Sequence, residues 1–587
     1  MKKKFLWLVI SWLMVAALVL ASCGPAGQPG EQEEEEEEEE EEPAAGEPQY
    51  GGTLTMMHRI TSSEPKTWDI CDTQATSMYW MGPFAEKLTQ GDVLGKGPRG
   101  TNESPFTLIG AEIAEGDLTG CLAESWEVTN DPPGYLYHIR PGVYWTGESV
   151  NPGVMERREY TAYDAEYHFN RFQASPVGTA KLGPYIKSYE ALDKYTLQVT
   201  YDKWNCAMLW FYSYGWMANH QPREVVEAGV KDWKNQVGTG AFILEEYVPA
   251  SQVTYRKNPD WWGTTTINGK EYDDIPFIDK LVYPIIPDVS TRIAALRTGK
   301  VDWAVDIHPK YEETLSSTCP DMMIEGFATA IPLSASYDAE YSPDYSQELI
   351  NALMIGTDKQ ALIDTVLIKG VIGGWPLSSA LGSSVYTQIE DLPAELQELY
   401  TYNPEKAKQM IIDIGFEGRT VPLIYSTEEE VPSEAAPLIA DMWSKIGLDI
   451  ELQPIDTALM LKYSQTGGYV GLRFTALAKN ANKISRSLDS LRAVKQEPLY
   501  YDDYYQAEMD KIVGERDVAK RTAMLKEIAI YVIGHGGVAA LAEPFMLNCW
   551  WPWIKNYYGE TECGYYNYNW LHSTLWLDQD LKAEMGF

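Results

Sequence analysis

The chain has 587 residues and carries 47 Lys and Arg against 85 Asp and Glu, a formal net charge of −38. That excess of acid argues against nucleic acid as a partner and against direct adhesion to anionic lipid. The length is beyond the size at which one hydrophobic core keeps growing, so two or more lobes are expected.

Lys2, Lys3 and Lys4 precede an apolar run from Phe5 to Leu20, broken only by Ser11. This pattern predicts a secretory signal over residues 1–22 rather than a stable membrane span. The run ends in Leu20-Ala21-Ser22-Cys23, which resembles a bacterial lipobox. In such a motif the Cys thiol takes a diacylglyceryl group and becomes the new N-terminus, so Cys23 is the expected lipidation site. The expectation is an exported protein, lipid-anchored on the periplasmic or cell-surface side of a membrane. From Gly24 to Pro48 the chain is mostly Gly, Pro, Ala and Gln around a run of ten Glu, Glu33 to Glu42. Like charges keep such a segment extended and solvated, so residues 23–49 read as an acidic disordered tether. Residues 1–46 hold three Lys and eleven Glu, which leaves the body 44 basic and 74 acidic residues, about −30 net. No second apolar stretch of spanning length follows. Six cysteines remain, at 71, 121, 206, 319, 549 and 563, with no CxxC among them. An oxidising compartment permits disulfides, but six Cys allow about 15 pairings and the spacing selects none.

Gly51-Gly52-Thr53-Leu54-Thr55-Met56 predicts a first strand entered through a glycine turn, and Tyr195 to Tyr201, Ala241 to Tyr247 and Ser251 to Lys257 alternate as strands do. Val289 to Thr298 is an expected helix, stopping at Gly299. Asn403-Pro404-Glu405 supplies an N-cap, a proline at the first helical position and an early acid, opening a helix that closes at Gly415. Ser433 to Ile446 is a further helix, ended by Gly447 and followed by the strand Leu448 to Gln453. Helices and strands mix along the whole length, which predicts an α/β or α+β protein.

Four stretches in order resemble the family 5 extracellular solute-binding proteins, the oligopeptide, dipeptide and nickel receptors of ATP-driven importers. They are Gly51-Gly52-Thr53-Leu54; Leu122 to Glu127 leading into Tyr137 to Trp145; Val237 to Phe242 followed by Arg256 to Gly263; and Ile285 to Ala304, with Leu296-Arg297-Thr298-Gly299-Lys300-Val301-Asp302. Most of these residues are scaffold, with glycines at turns and aromatics packing them. The resemblance implies an α/β, two-lobed periplasmic-binding-protein-like fold of type II, the large peptide-binding class, with an interlobe ligand cleft. Lobe I would be 50–304 plus 544–587 and lobe II 305–543, with crossover strands near Val301 to Asp306 and Val538 to Glu543. It also implies a peptide or other polar solute as ligand, an ABC permease as membrane partner, no cofactor and no enzymatic activity.

Catalytic signals are thin. The seven His are scattered, HExxH, Walker A and GxSxG motifs are absent, and the GxGxxG match at Gly95 to Gly100 contains a proline and opens no helix, so it reads as a loop. The chain holds 20 Trp and 38 Tyr against 13 Phe. Aromatics with polar tips suit a wet cleft that closes on a ligand. Tyr79 and Trp80, after the first strand, and Trp375 in Gly373-Gly374-Trp375-Pro376 are the candidates. Dipeptide receptors of the family carry an Asp in a Trp-x-x-Asp-Tyr segment for the ligand ammonium. The corresponding stretch here, Gly471 to Asn480, has no acid but has Arg473, Phe474 and Lys479. Arg473 facing a cleft would favour a ligand carboxylate, which makes Arg473 and Phe474 candidate ligand contacts. The family's Arg-x-Arg is also missing, its region being Ser346 to Ala352. Alternatives are an oligosaccharide or metal-chelate receptor of the same fold, a secreted hydrolase using cleft carboxylates, and a sensing lipoprotein without a solute.

Overall fold

The computed structural model describes residues 46–587 except 59–62, 73–76, 96–114, 216–217, 382–384, 477–483, 493–494 and 565–566. Cys23, the Glu run, Lys479 and most of the GxGxxG match therefore lie outside the described residues. The described residues belong to one unit, Ala45–Phe587.

The strand after the glycine turn forms as expected, over Thr53–Met57 (β1), with Gly51 at φ +103° and Gly52 at φ +86°. Those angles are cheap only for glycine. Nine further strands build the main sheet: β2 (Phe242–Val248), β3 (Gln252–Lys257), β4 (Lys280–Pro284), β5 (Trp303–Ile307), β6 (Leu333–Tyr337), β7 (Thr420–Ser426), β8 (Asp449–Ile455), β9 (Leu472–Thr475) and β10 (Val538–Trp550). Their order across the sheet is β2-β3-β4-β1-β5-β10-β6-β9-β7-β8. β1 runs parallel to β4 and β5, and β10 runs antiparallel to β5 and β6. Met323–Ala328 and Gly370–Ile372 also pair with β10. A separate four-stranded antiparallel sheet holds Ala123–Asn130, Pro133–Ile139, Thr196–Tyr201 and Ile186–Asp193.

Helix boundaries follow the capping chemistry. In α1 (Ala162–Ala174) the Asp164 carboxylate accepts from the Thr161 N–H at 2.9 Å. α2 (Val289–Arg297) is capped by Asp288, and α3 (Pro404–Asp413) by Asn403, whose side chain accepts from Lys406 N at 3.0 Å. α4 (Glu430–Lys445) starts three residues earlier than the sequence suggested. Then come α5 (Thr457–Thr466), α6 (Ile484–Leu491), α7 (Asp503–Gly514) and α8 (Val518–His535). No helix among the described residues is long and apolar enough to cross a membrane.

Three large apolar clusters organise these elements. The first takes β1 to β5, the four-stranded sheet and the C-terminal residues Leu547 to Leu577, and it reaches past residue 304 to Leu315 and Phe327 because Met323–Ala328 pairs with the far half of β10. The second joins β6, β7 and β9 to α3 and α4. The third joins α6, α7 and α8 to Trp375 and Cys206. Strand β10 serves all three. Val538 and Ala540 enter the third cluster, Ala539, Leu541 and Ala542 the second, and Leu547, Cys549 and Trp550 the first. Glu543 stands where the strand changes from one core to the other. The six described cysteines are buried free thiols.

Candidate functional site

Strand register creates the most unusual polar feature of the molecule. β6 and β9 pair antiparallel, with Ser334 opposite Thr475, Ala335 opposite Phe474, Ser336 opposite Arg473 and Tyr337 opposite Leu472. Side chains alternate across a strand, so opposed residues share a face. Leu333, Ala335, Tyr337, Leu472 and Phe474 enter the second core. Ser334, Ser336, Arg473 and Thr475 take the opposite face, yet each is at most 3% exposed. Apolar clusters flank this polar strip. On one side Ile424, opposite Arg473 on β7, packs with Met460 and Tyr469. On the other, Val538 and Ala540, opposite Ser336 and Ser334 on β10, pack with Trp375 and Leu488.

Within the strip Arg473 is under-satisfied. Its Nη1 donates to Ser464 Oγ at 2.6 Å, and its guanidinium carbon stands 5.8 Å from the centroid of the Tyr469 ring. Its Nε is buried without a hydrogen-bond partner, and it forms no ion pair among the described residues. Ser334 Oγ, two residues along the facing strand from Ser336, is also buried without a partner. Burying a guanidinium without an anion is costly, so the site favours a negative group. Of the nearby acids Asp338 is engaged and Glu429 only in part, its Oε1 being buried without a hydrogen-bond partner. Glu429 accepts from Thr475 Oγ1 at 3.5 Å, and Asp338 accepts from the backbone of Gly468 at 2.8 Å and of Glu340 at 3.0 Å. Burial raises the Tyr469 phenol against the opposing pull of Arg473, which keeps it a neutral donor to Ser336 O at 3.3 Å.

The Trp375 loop borders the strip and is tied to Glu543. Glu543 Oε1 accepts from Ser378 Oγ at 2.6 Å and from Ala330 N at 3.0 Å, and Oε2 accepts from Ser379 Oγ at 3.3 Å. Burial raises the Glu543 carboxyl above its ordinary range, with these donors opposing. Gly374, at φ +86°, lets the loop pass this carboxylate, since a Cβ there would fall 2.4 Å from Oε2. Trp375 itself is 3% exposed and lies over Gly536 at the end of α8.

The other expected site residues are placed differently. Tyr79 and Trp80 lie in the short helix Ser77–Met81, both buried in the first core. Tyr79 donates to Glu562 Oε1 at 2.8 Å and stacks on His58 at 4.8 Å, while the Trp80 carbonyl accepts from Tyr255 at 2.6 Å. Burial holds the His58 imidazole well below its usual range and therefore neutral. Phe474 and Arg473 occupy opposite faces of one strand, so a single recess can be lined by only one of them. Sequence reasoning missed Ser334, Ser336, Glu543 and Glu86. Glu86 is a fully buried acid held by Trp261 Nε1 at 3.1 Å and Trp262 Nε1 at 3.2 Å, and burial pushes its carboxyl up to about 7. The serines carry no local signal, because only their register against β9 gives them a role. Among the described residues no group of three His, Cys, Asp or Glu is arranged to hold a metal ion.

Polar contacts join the first core to the helices of the third. Arg521 on α8 meets Glu115 at 2.7 Å, Asn205 Nδ2 reaches Asp489 on α6 at 3.4 Å, and Lys203 lies 3.5 Å from Asp510 on α7. Arg516 stacks over Trp204 at 4.6 Å and bonds to Asn130. Cys206 packs into the third cluster beside Trp375.

Comparison with known proteins decides what this two-core architecture is. The profile of the bacterial extracellular solute-binding proteins, family 5, matches residues 117–527. The chain belongs to that family. This family 5 protein is 26% identical over 361 residues to the heme-binding protein A of Haemophilus influenzae, a match covering 57% of this chain and 61% of the relative. It is 23% identical over 457 residues to the dipeptide-binding protein of Escherichia coli, covering 72% of this chain and 80% of the relative. Among solved structures it resembles the periplasmic binding protein DppA of Helicobacter pylori in complex with the peptide STSA, with a TM-score of 0.68 at 19% identity, covering 90% of this chain and 99% of that one. The fold is the α/β, two-lobed one of the periplasmic binding proteins, and the family is one of extracellular solute receptors.

Proposed function

We propose that the protein is the lipid-anchored substrate receptor of an ABC importer, which captures a peptide or peptide-like solute between its lobes and hands it to a membrane permease. Signal peptide 1–22, lipidated Cys23 and tether 23–49 would hold the body outside the membrane. Lobe I would be 50–304 plus 544–587 and lobe II 305–543. Arg473 and Trp375 would line the cleft, Phe474 would brace the strand from behind, and Tyr79 and Trp80 would stiffen the lobe I wall. The receptor works by binding and closure rather than turnover.

The observation that carries this reading is β10, one continuous strand that passes from the second core to the first with Glu543 at the changeover. A backbone shared by two cores lets them move relative to one another by small dihedral changes at the crossing. A ligand that contacts both lobes then stabilises the closed form by its differential affinity. Peptide is favoured as ligand by the names of the Escherichia coli and Helicobacter pylori relatives. Haem is a second arm because of the Haemophilus influenzae relative.

The test is a thermal-shift screen of the purified protein against di- to nonapeptides, oligosaccharides, nickel with and without chelators, and haem. A ligand at 100 times its dissociation constant adds about 2.7 kcal/mol to stability. A clear shift with peptides alone is the expected result. A shift confined to another class replaces the peptide reading, and hydrolysis of any of these compounds by the pure protein contradicts the receptor reading.

A further inference from the structure

The turn that leaves β5 carries a histidine whose protonation state its hydrogen bonds decide. His308 follows Ile307, the last residue of β5, and caps the short turn Pro309–Tyr311. The backbone N–H of Lys310 can only donate, and it donates to His308 Nδ1 at 3.2 Å. Nδ1 is therefore the bare nitrogen of a neutral ring, and the ring proton is on Nε2, which is buried without a hydrogen-bond partner. The residue is 5% exposed. A second proton has only Nδ1 to go to, and there it ends the bond that caps the turn.

The same turn reaches from the first core to the second. Ile307 packs in the first core and Tyr311 against it, while Val431 and Ala435 of α4 pack in the second. Lys310 Nζ crosses between them to Glu430 and, at 3.3 Å, to Glu434 on α4. Lys369, two residues after Leu367 of the second core, makes the reverse crossing to Glu312 at 2.6 Å. The charged groups that reach the His308 ring are Glu430 and Glu434 from α4 and Lys310 and Asp306 from its own segment. The helix Glu312–Thr318 after the turn brings Glu312, held by Lys369, and Glu313. Strand β10, paired through Leu547 to Ile307, is uncharged from Pro544 to Asn548. Burial, opposed by Glu430 and the other two acids and aided by Lys310, holds the imidazole below its usual range.

We infer that His308 is a proton-operated release between the two cores: neutral, it holds the turn that presents Lys310 to α4, and protonated at Nδ1, it lets that turn go and the cores part. The inference rests on the solute-receptor reading and adds a regulation, retention of solute near neutral pH and release under acid. A ring that binds its proton less tightly in the joined form than in water favours the joined form above its ordinary value of 6.5. That preference is lost as pH falls below 6.5. One linked proton shifts the equilibrium by at most about tenfold per pH unit. Loss of the cap acts together with charge, because the imidazolium stands beside Lys310 and both then compete for Glu430 and Glu434.

The test is small-angle scattering of the full, solute-stripped protein at about pH 7.5 and about pH 5.5, a window in which histidine is the ordinary side chain that titrates. The wild type is compared with His308→Asn, which keeps an acceptor for the Lys310 N–H and takes no proton, and with His308→Ala, which removes the acceptor. The wild type should be compact at the higher pH and expanded at the lower, His308→Asn compact at both and His308→Ala expanded at both. Glu86, Lys359 and the other histidines are common to all three proteins and cancel in the comparison. In the histidine-labelled wild type, the ring resonance that either variant loses should titrate below 6.5, a readout independent of how stable the variants are. A wild-type radius unchanged with pH, any expansion of His308→Asn, a compact His308→Ala, or a ring that titrates at or above 6.5 would each overturn the inference. Heat of binding from a random pool of two- to nine-residue peptides, without a pH-dependent radius, keeps the receptor reading and ends the inference. A pH-dependent radius confined to the wild type, with no heat from any compound of the ligand screen, keeps the proton-operated joint and ends the receptor reading.

Discussion

Ser378 Oγ donates a 2.6 Å hydrogen bond to Glu543 Oε1 at the point where β10 leaves one core for the other. The same carboxylate holds Ala330 N, so one side chain ties the Trp375 loop and the segment before β6 to the crossing strand. Glu543→Ala leaves these buried donors unpaired and should cost about 1 to 3 kcal/mol in urea unfolding. Glu543→Gln, which keeps one acceptor oxygen, should lose less than half as much. Equal losses for the two variants would show that the hydrogen bonds are not what Glu543 contributes.

Arg521 and Glu115 lie 406 residues apart in the chain and 2.7 Å apart in space, and they bridge α8 to the first core. With Asn205 on Asp489, this contact links the first cluster to the helices of the third. Glu115→Gln should therefore increase the radius of gyration of the ligand-free protein and raise the dissociation rate of bound solute. Unchanged scattering and unchanged dissociation would remove this contact from the closure mechanism.

Glu86 links stability to pH. Its carboxyl is pushed up from 4.5 to about 7, first by burial, with the hydrogen bonds from Trp262 and Trp261 opposing. The stabilising effect of its proton is fully present below the unfolded value of 4.5 and is lost as pH rises through about 7. The stability of Glu86→Gln minus that of the wild type should accordingly rise by roughly 3 kcal/mol between pH 4.5 and pH 8. The variant also loses an acceptor for Trp262, which adds a constant offset, so the slope is the readout. His58 and His572, pulled down by burial, have the opposite pH dependence but are common to both proteins and cancel in the difference. A difference that is flat with pH would contradict the assignment.

Cys23 gives a test of anchoring. The full-length protein recovered from membranes should carry the mass of a lipidated N-terminal Cys23 after loss of residues 1–22, and Cys23→Ser should remain unlipidated and leave the membrane fraction. Membrane retention of the serine variant would mean another attachment.

Local signals made much of the scaffold legible. Asn403-Pro404 and Asp288 define helix starts through hydrogen bonds to backbone three residues on, and Gly51-Gly52 define a turn through angles that other residues resist. Such features depend on near neighbours, so one sequence carries them. The candidate site depends on register instead. Arg473 stands out as a cation where family dipeptide receptors have an acid nearby, but its face is set by pairing with Ser336, more than a hundred residues earlier. The same alternation sends Phe474 into the core. The surroundings of Tyr79 and Trp80 are likewise set by segments as distant as Tyr255 and Glu562, which no local pattern marks. Glu543 sits in an apolar strand with nothing nearby in sequence to mark it, because its partners Ser378 and Ala330 are brought to it only by the fold.

The measurement that bears most directly on the account is small-angle scattering of the purified protein, stripped of carried-over solute by unfolding and refolding, before and after addition of a random pool of two- to nine-residue peptides. Closure on a captured solute should reduce the radius of gyration, with reversal when the peptide is dialysed away. An identical radius in both conditions, together with no heat of binding from the same pool, would contradict capture of peptides by domain closure.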